Sequence, residues 1–160
     1  MSVISIKEAI IEDSALILGF VRELACYEKA EHEVIATESD IKNSLFGRDS
    51  ITNAVICSVN DEPAGFAVYF YNYSTWIGKN GLYLEDLYVS PDYRNRGAGK
   101  ALLKHLAKIA VSKSCGRFEW NVLDWNEPAI KFYRSIGAKP QPEWVGYRLA
   151  GKALEKLANS

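Results

Sequence analysis

The pattern of hydrophobic and polar positions divides this chain into strands and helices that follow one another in mixed order. Two-residue alternation and short apolar runs bounded by turn residues predict strands, whereas apolar residues three or four positions apart predict helices. This order indicates an α/β fold of the α+β type, with a mixed, mostly antiparallel central sheet and helices on both faces. The predicted strands cover residues 3–6, 51–59, 63–73, 82–89, 118–123 and 147–150, and the predicted helices cover residues 12–27, 37–46, 101–110 and 127–136.

Residues 82–110 carry the most informative motif, which is a strand, a turn rich in glycine and arginine, and an amphipathic helix. The N–H groups at a helix start have no partner within the helix, and the helix dipole adds partial positive charge there. Gly97 and Gly99 lack the side chains that would keep an anion away. Arg94 and Arg96 add positive charge. We therefore predict that this turn binds a phosphate group.

The spacing within the turn excludes two common phosphate-binding loops. A P-loop needs glycine at position 94 and Ser or Thr at position 101, where this chain has Arg94 and Ala101. A dinucleotide-binding loop needs a third glycine, where this chain has Leu102. The remaining pattern is Gln or Arg, two residues, Gly, one residue, and Gly or Ala, which Arg94, Gly97 and Gly99 satisfy.

Composition and charge limit the kinds of molecule that the chain is expected to bind. A length of 160 residues predicts a single domain over residues 1–160, and 48% hydrophobic with 24% charged residues is typical of a folded protein. A formal net charge of -1 argues against broad nucleic-acid binding, and no apolar run approaches the roughly 20 residues of a membrane helix. Because the chain starts without a signal peptide and its three cysteines lack metal-ligand spacing, we expect a cytoplasmic protein with reduced thiols and no metal site.

The glycine turn resembles the pyrophosphate loop of the GNAT superfamily of N-acetyltransferases, which use acetyl-coenzyme A. A second segment, at residues 125–133, joins a strand to a helix and makes the resemblance closer. Over nearly its whole length the chain resembles the spermidine/spermine (diamine) N-acetyltransferases and their thialysine-acetylating relatives. The matching motifs are YE at residues 27–28, WIGK at 76–79, YLED at 83–86, DYR with the glycine loop at 92–99, and WNEPAIKFY at 125–133.

The resemblance implies acetyl-coenzyme A as the cofactor and a slot for it where two strands of the sheet splay apart. It places the cofactor against the end of the predicted strand 82–89, the glycine turn and the start of the helix 127–136. The implied cofactor-binding residues are Leu87, Tyr88, Val89, Arg94, Asn95, Arg96, Gly97, Ala98, Gly99, Lys100, Asn126, Pro128 and Ala129.

The resemblance also implies a catalytic pair and a set of substrate contacts. Glu85 is the implied base, which removes a proton, directly or through water, from an amine whose pKa is about 10. Tyr133 is the implied acid, which gives a proton to the leaving thiolate. Asp86 lies on the opposite face of a regular strand from Glu85, and we expect it to have a structural role. The implied substrate-binding residues are Tyr27, Glu28, Trp76 and Glu85.

These implications predict a GNAT acetyltransferase that transfers an acetyl group to a primary amine of a small cationic substrate by direct attack in a ternary complex. Polyamines, diamines and amino acids with a side-chain amine, such as thialysine or ornithine, all remain open as substrates. The reason is that Ser74, Thr75 and the short segment 139–144 depart from the polyamine enzymes. Acetylation of a protein or peptide amine and a non-catalytic acyl-coenzyme A sensor are the alternatives. A homodimer is also expected from the resemblance.

Overall fold

The structure is a computed structural model that describes residues 1–160 in two compact units, Met1–Asn121 and Val122–Ser160. No helix is both long enough and apolar enough to span a membrane. The single domain over the whole chain stays a prediction. The first unit contains five strands and three α-helices: β1 (Ile4–Glu8), α1 (Ser14–Tyr27), α2 (Glu38–Phe46), β2 (Thr52–Val59), β3 (Glu62–Ser74), β4 (Lys79–Val89), α3 (Ala98–Ser112) and β5 (Arg117–Trp120). The second unit contains two α-helices, α4 (Glu127–Ser135) and α5 (Gly151–Ala158).

The sheet has the order β1-β2-β3-β4-β5, with β1 to β4 antiparallel and β5 parallel to β4. β2 and β3 are joined by a two-residue turn in which Asn60 and Asp61 have positive φ angles of 49° and 68°. Such a turn matches the natural twist of two antiparallel strands. β5 can be parallel to β4 because α3 crosses over between them. The mixed, mostly antiparallel sheet that the sequence predicts is confirmed.

Helices cover both faces of the sheet, as predicted. On one face, α1 and α2 pack against a buried cluster in which Phe20 stacks on Phe66 with their ring centroids 5.5 Å apart. On the other face the sheet packs against α3 through Leu102, Leu103 and Leu106, all of which are buried. Because both faces are covered, the middle of the sheet is apolar on both sides, and β2 is buried continuously over residues 54–57.

The predicted strand over residues 147–150 is wrong. These residues pair with no strand, and an extended segment becomes a strand only when a neighbour accepts and donates its backbone hydrogen bonds. The helix α5, which is absent from the predicted elements, follows immediately. Its alanine, leucine, lysine and glutamate residues all favour a helix. β5 is also shorter than predicted, since it ends at Trp120.

Gly65 provides a test of how closely β3 and β4 approach each other. Gly65 is paired with Val89, and a Cβ added to it would overlap the carbonyl oxygen of Tyr88. We expect Gly65→Ala to lower the free energy of unfolding by about 1–3 kcal/mol, because the two strands must shift apart. Urea unfolding followed by circular dichroism measures this change.

The matched control for this prediction is Gly19→Ala in α1. A Cβ there meets no atom within 4 Å, and alanine favours a helix over glycine by about 1 kcal/mol. The control should therefore be as stable as the parent protein or more stable. Equal stability of the two variants would contradict the close approach of β3 and β4 at Gly65.

Candidate active site

β4 continues where β5 ends. Their parallel pairing runs from Gly81 opposite Arg117 to Leu84 opposite Trp120, whereas β4 extends to Val89. Residues 85–89 therefore have β3 on one side and no strand on the other. Backbone N–H and C=O groups at such an edge can bind an extended ligand that carries amide groups. We call residues 85–89 the open edge of β4; the predicted cofactor contacts Leu87, Tyr88 and Val89 lie on it.

A β-bulge lies at Glu85. Tyr69 of β3 is opposite Leu84 and Val68 is opposite Asp86, so Glu85 has no partner of its own on β3. A bulge bends the strand and changes the direction of the side chains that follow. Asp86 therefore shares a face with Val68, toward α1 and α2, whereas Leu84 shares the other face with Tyr69. The regular alternation assumed from the sequence is wrong at this point, and Glu85 itself is exposed.

The bulge places Asp86 near two other acids, Glu85 and Glu28. Burial, followed by the negative charges of Glu85 and Glu28, raises the pKa of Asp86 from 3.8 to about 6. Burial also raises the pKa of Glu28, which directly follows α1. We call these three residues the acid cluster. Concentrated negative charge of this kind attracts a cation and can accept a proton from it.

The sequence predicts Glu28 and Glu85 as site residues and only a structural role for Asp86. The sole signal for Asp86 was its position as the second of two adjacent acids in an otherwise apolar strand. Its burial depends on the bulge, and its electrostatic coupling to Glu28 depends on how α1 packs against the sheet. Neither feature is encoded in the local sequence pattern.

The glycine turn leads into a helix start that has no side-chain cap. Gly97 is the N-cap of α3 and has a left-handed backbone with a φ of 88°. The Ala101 N–H donates to the Gly97 carbonyl oxygen at 2.9 Å, which begins the hydrogen-bonding pattern of the helix. The N–H groups of residues 98–100 precede that point and can donate to an external acceptor. Asn95 also has a positive φ of 60°. Such a curled turn before a helix is able to hold a phosphate anion.

Arg94 connects the end of β4 to the end of α1. Its Nε donates a hydrogen bond to the Val89 carbonyl oxygen at 2.9 Å. Its guanidinium carbon lies 5.2 Å from the ring centroid of Tyr27 and 5.6 Å from that of Tyr88. Tyr27 is the last residue of α1 and immediately precedes Glu28. A predicted substrate contact is therefore joined through Arg94 to the open edge of β4.

The predicted site residues of α4 lie in the second unit. Asn126 caps α4, since its Oδ1 accepts a hydrogen bond from the Ala129 N–H at 3.4 Å, and Pro128 occupies the first turn. This arrangement fixes the start of the predicted helix. The ring centroid of Tyr133 lies 6.0 Å from that of Phe132, the preceding residue of the same helix.

Trp76, the remaining predicted substrate contact, lies in the turn between β3 and β4, and 79% of its surface is exposed. No group of three or more His, Cys, Asp or Glu side chains could hold a metal ion. The residues that the contacts of the first unit do bring together are Tyr27, Glu28, Glu85, Asp86 and Arg94.

The chain is similar in sequence and in structure to known proteins. The sequence model of the Acetyltransferase (GNAT) family matches residues 18–138. The chain is 36% identical to the thialysine N-epsilon-acetyltransferase of Sus scrofa over 99% of each chain. It is 39% identical to the L-ornithine N5-acetyltransferase of Arabidopsis thaliana, over 79% of this chain and 52% of that protein. A solved structure of an integron cassette protein from V. cholerae has a TM-score of 0.82 and 33% identity, with 98% of both chains covered.

Asp86→Asn should stabilise the protein at neutral and alkaline pH. Folding raises the pKa of Asp86 from 3.8 to about 6, so the folded state binds this proton more tightly than the unfolded state. The parent protein therefore loses stability as the pH rises from about 4 through about 6. Since one pKa unit corresponds to about 1.4 kcal/mol, we expect a gain of roughly 2–3 kcal/mol in the free energy of unfolding at pH 8.

This gain should nearly vanish near pH 3.5, where Asp86 is mostly protonated in both states of the parent protein. Urea unfolding at the two pH values measures the difference. Asp92→Asn is the matched control, because Asp92 is exposed in the turn after β4 and its replacement should change stability little at either pH. A gain from Asp86→Asn that is independent of pH would contradict the raised pKa.

Proposed function

This chain belongs to the acetyltransferase (GNAT) family, and we propose that it transfers the acetyl group of acetyl-coenzyme A to a primary amine of a small cationic substrate. Family membership makes it an N-acetyltransferase. The observation that supports the finer proposal is the acid cluster of Glu28, Glu85 and Asp86, two of whose members lie on the open edge of β4. Its negative charge favours a protonated amine over a neutral acceptor.

The proposed cofactor site combines the open edge of β4 with the glycine turn. Acetyl-coenzyme A would supply the acetyl group as a reactive thioester. The backbone of residues 87–89 would hydrogen-bond its pantetheine amides, and the N–H groups of residues 98–100 would hold its pyrophosphate. Asn95, Arg96 and Lys100 would border the phosphates. By resemblance, Asn126, Pro128 and Ala129 would also contact the cofactor.

Glu85 is the proposed base. An ammonium substrate with a pKa of about 10 must lose a proton before its nitrogen can attack a carbonyl carbon. Glu28 and Asp86 would hold the cation while Glu85, exposed on the bulge, accepts the proton directly or through water. A backbone N–H near Leu87 would donate a hydrogen bond to the carbonyl oxygen as negative charge develops there. By resemblance, Tyr133 would donate a proton to the leaving sulfur.

Among cationic amines, we propose amino acids with a side-chain amine as the preferred substrates. The relatives named for thialysine and for L-ornithine support this choice, and polyamines and diamines remain within the same proposal. Tyr27, Glu28 and Trp76 are the proposed contacts of the substrate. The homodimer and the cytoplasmic location stay predictions.

An assay of thiol release from acetyl-coenzyme A tests the function directly. We expect turnover with thialysine, ornithine, a diamine or spermidine, and little turnover with a histone-type peptide, because relatives of the chain are named for thialysine and for L-ornithine. Turnover with the peptide alone would favour a protein acetyltransferase. Binding of acetyl-coenzyme A without turnover of any amine would favour the acyl-coenzyme A sensor.

Glu85→Gln should lower kcat by about 100-fold or more at pH 7, because general base catalysis contributes at least that much. The loss should become smaller toward pH 9.5, since the fraction of free amine rises about tenfold per pH unit below its pKa. The pH profile of kcat measures both effects. Glu119→Gln is the matched control, because Glu119 of β5 is an acid near the same Tyr83 ring but outside the acid cluster. An equal loss of kcat in the two variants would show that Glu85 is not the base.

A further inference from the structure

The side chain of Arg94 is held by groups that lie outside the glycine turn. The hydrogen bond to Val89 fixes its Nε, and the guanidinium lies over the rings of Tyr27 and Tyr88. A cation over an aromatic face is attracted by the ring quadrupole. All of these partners belong to α1 or β4, whereas the ring that the Arg96 guanidinium contacts, that of Tyr93, belongs to the turn itself.

The two rings that Arg94 contacts differ in how firmly they are held. Tyr88 is only 6% exposed and belongs to the buried cluster beneath α1 and α2, so its ring is fixed by packing. Tyr27 is 39% exposed at the last position of α1. The guanidinium is thus anchored to β4 on one side and can restrain Tyr27 on the other.

A second contact ties the same two elements together. The Ser90 hydroxyl, one residue after β4, donates a hydrogen bond to the Glu23 carboxylate of α1 at 3.2 Å. Directly after Tyr27, the chain turns sharply, because Lys29 adopts a positive φ of 60°. The position of Glu28 therefore depends on how the end of α1 is held against the end of β4.

We propose that Arg94 is a positioning residue of the amine site: it holds Tyr27, and through it Glu28, next to the open edge of β4, instead of binding the pyrophosphate. This assignment rests on the amine acetyltransferase function proposed above. It assigns the two arginines of the turn to different tasks. Arg96 remains a proposed contact of the phosphates. Its guanidinium lies 5.8 Å from the ring centroid of Tyr93 within the same turn.

Glutamine is the informative replacement for Arg94. Its amide can still donate to a carbonyl oxygen, but it lacks the charge and the planar guanidinium that act on the Tyr27 ring. Loss of one exposed cation–ring contact corresponds to about a two- to five-fold change in an equilibrium constant. We therefore expect Arg94→Gln to raise the amine KM about two- to five-fold, with kcat and the Kd of coenzyme A within twofold of the parent values.

Arg96→Gln removes the same charge two positions away and is the matched variant. It should raise the Kd of coenzyme A, measured by calorimetry, and leave the amine KM nearly unchanged. Thiol-release kinetics provide KM and kcat for both variants. A higher Kd of coenzyme A in Arg94→Gln, with an unchanged amine KM, would overturn the proposal and indicate that Arg94 binds the phosphates.

A double-mutant cycle tests whether Arg94 acts through Tyr27. Once Tyr27→Leu has removed the ring, Arg94→Gln should have little further effect on the amine KM, because interacting residues are not additive. Fully additive effects would overturn the link between the two residues. Tyr27→Phe keeps the ring and should preserve the sensitivity to Arg94→Gln.

Hydrogen exchange provides a readout that needs no substrate. The Glu28 N–H donates to the Leu24 carbonyl at 2.9 Å and the Ala30 N–H donates to the Ala25 carbonyl at 2.8 Å. Both amides should exchange faster in Arg94→Gln than in Arg96→Gln. If the parent protein acetylates no amine, the proposed function fails, yet this comparison still decides whether Arg94 holds the end of α1. Equal exchange in the two variants would overturn the proposal.

Discussion

The candidate site depends on a difference in length between two neighbouring strands. β4 is paired with β3 over its whole length, from Lys79 to Val89, but with β5 only as far as Leu84. The first pairing keeps the strand ordered, and the absence of the second leaves one edge of its backbone available. Because this edge is already ordered, its backbone can bind an extended ligand without the entropy cost of ordering the strand first. The glycine turn and α3 follow directly from the end of this edge.

The acid cluster costs stability, and in the proposed function its charge attracts the substrate. The sheet could pack an apolar residue at Asp86, but the bulge at Glu85 places a carboxylate there among neighbours of the same charge. The raised pKa of Asp86 measures that cost. Sites that must attract and deprotonate a cation commonly carry such destabilising charge, because the substrate itself supplies the missing positive charge.

Much of the fold could be predicted because its causes are local. The strands over residues 51–59 and 63–73, the helix after the glycine turn and the helix over residues 127–136 are all predicted and present. The resemblance added the catalytic pair and the cofactor contacts as expectations. The failures have a common cause: residues 147–150 have the composition of a strand but no partner, and the bulge on β4 interrupts the regular alternation expected of residues 84–86.

By itself, the sequence determined most of the strands and helices and their order, because each follows from residues within a few positions of one another. The anion-binding character of the turn is a prediction of the same local kind. Only the tertiary structure decided where β4 and β5 part, which side chains the bulge turns toward α1, and that Arg94 contacts Tyr27. Each of these depends on a register or a contact between segments far apart in the chain. Such pairings are selected by the packing of the whole sheet, which no local pattern records.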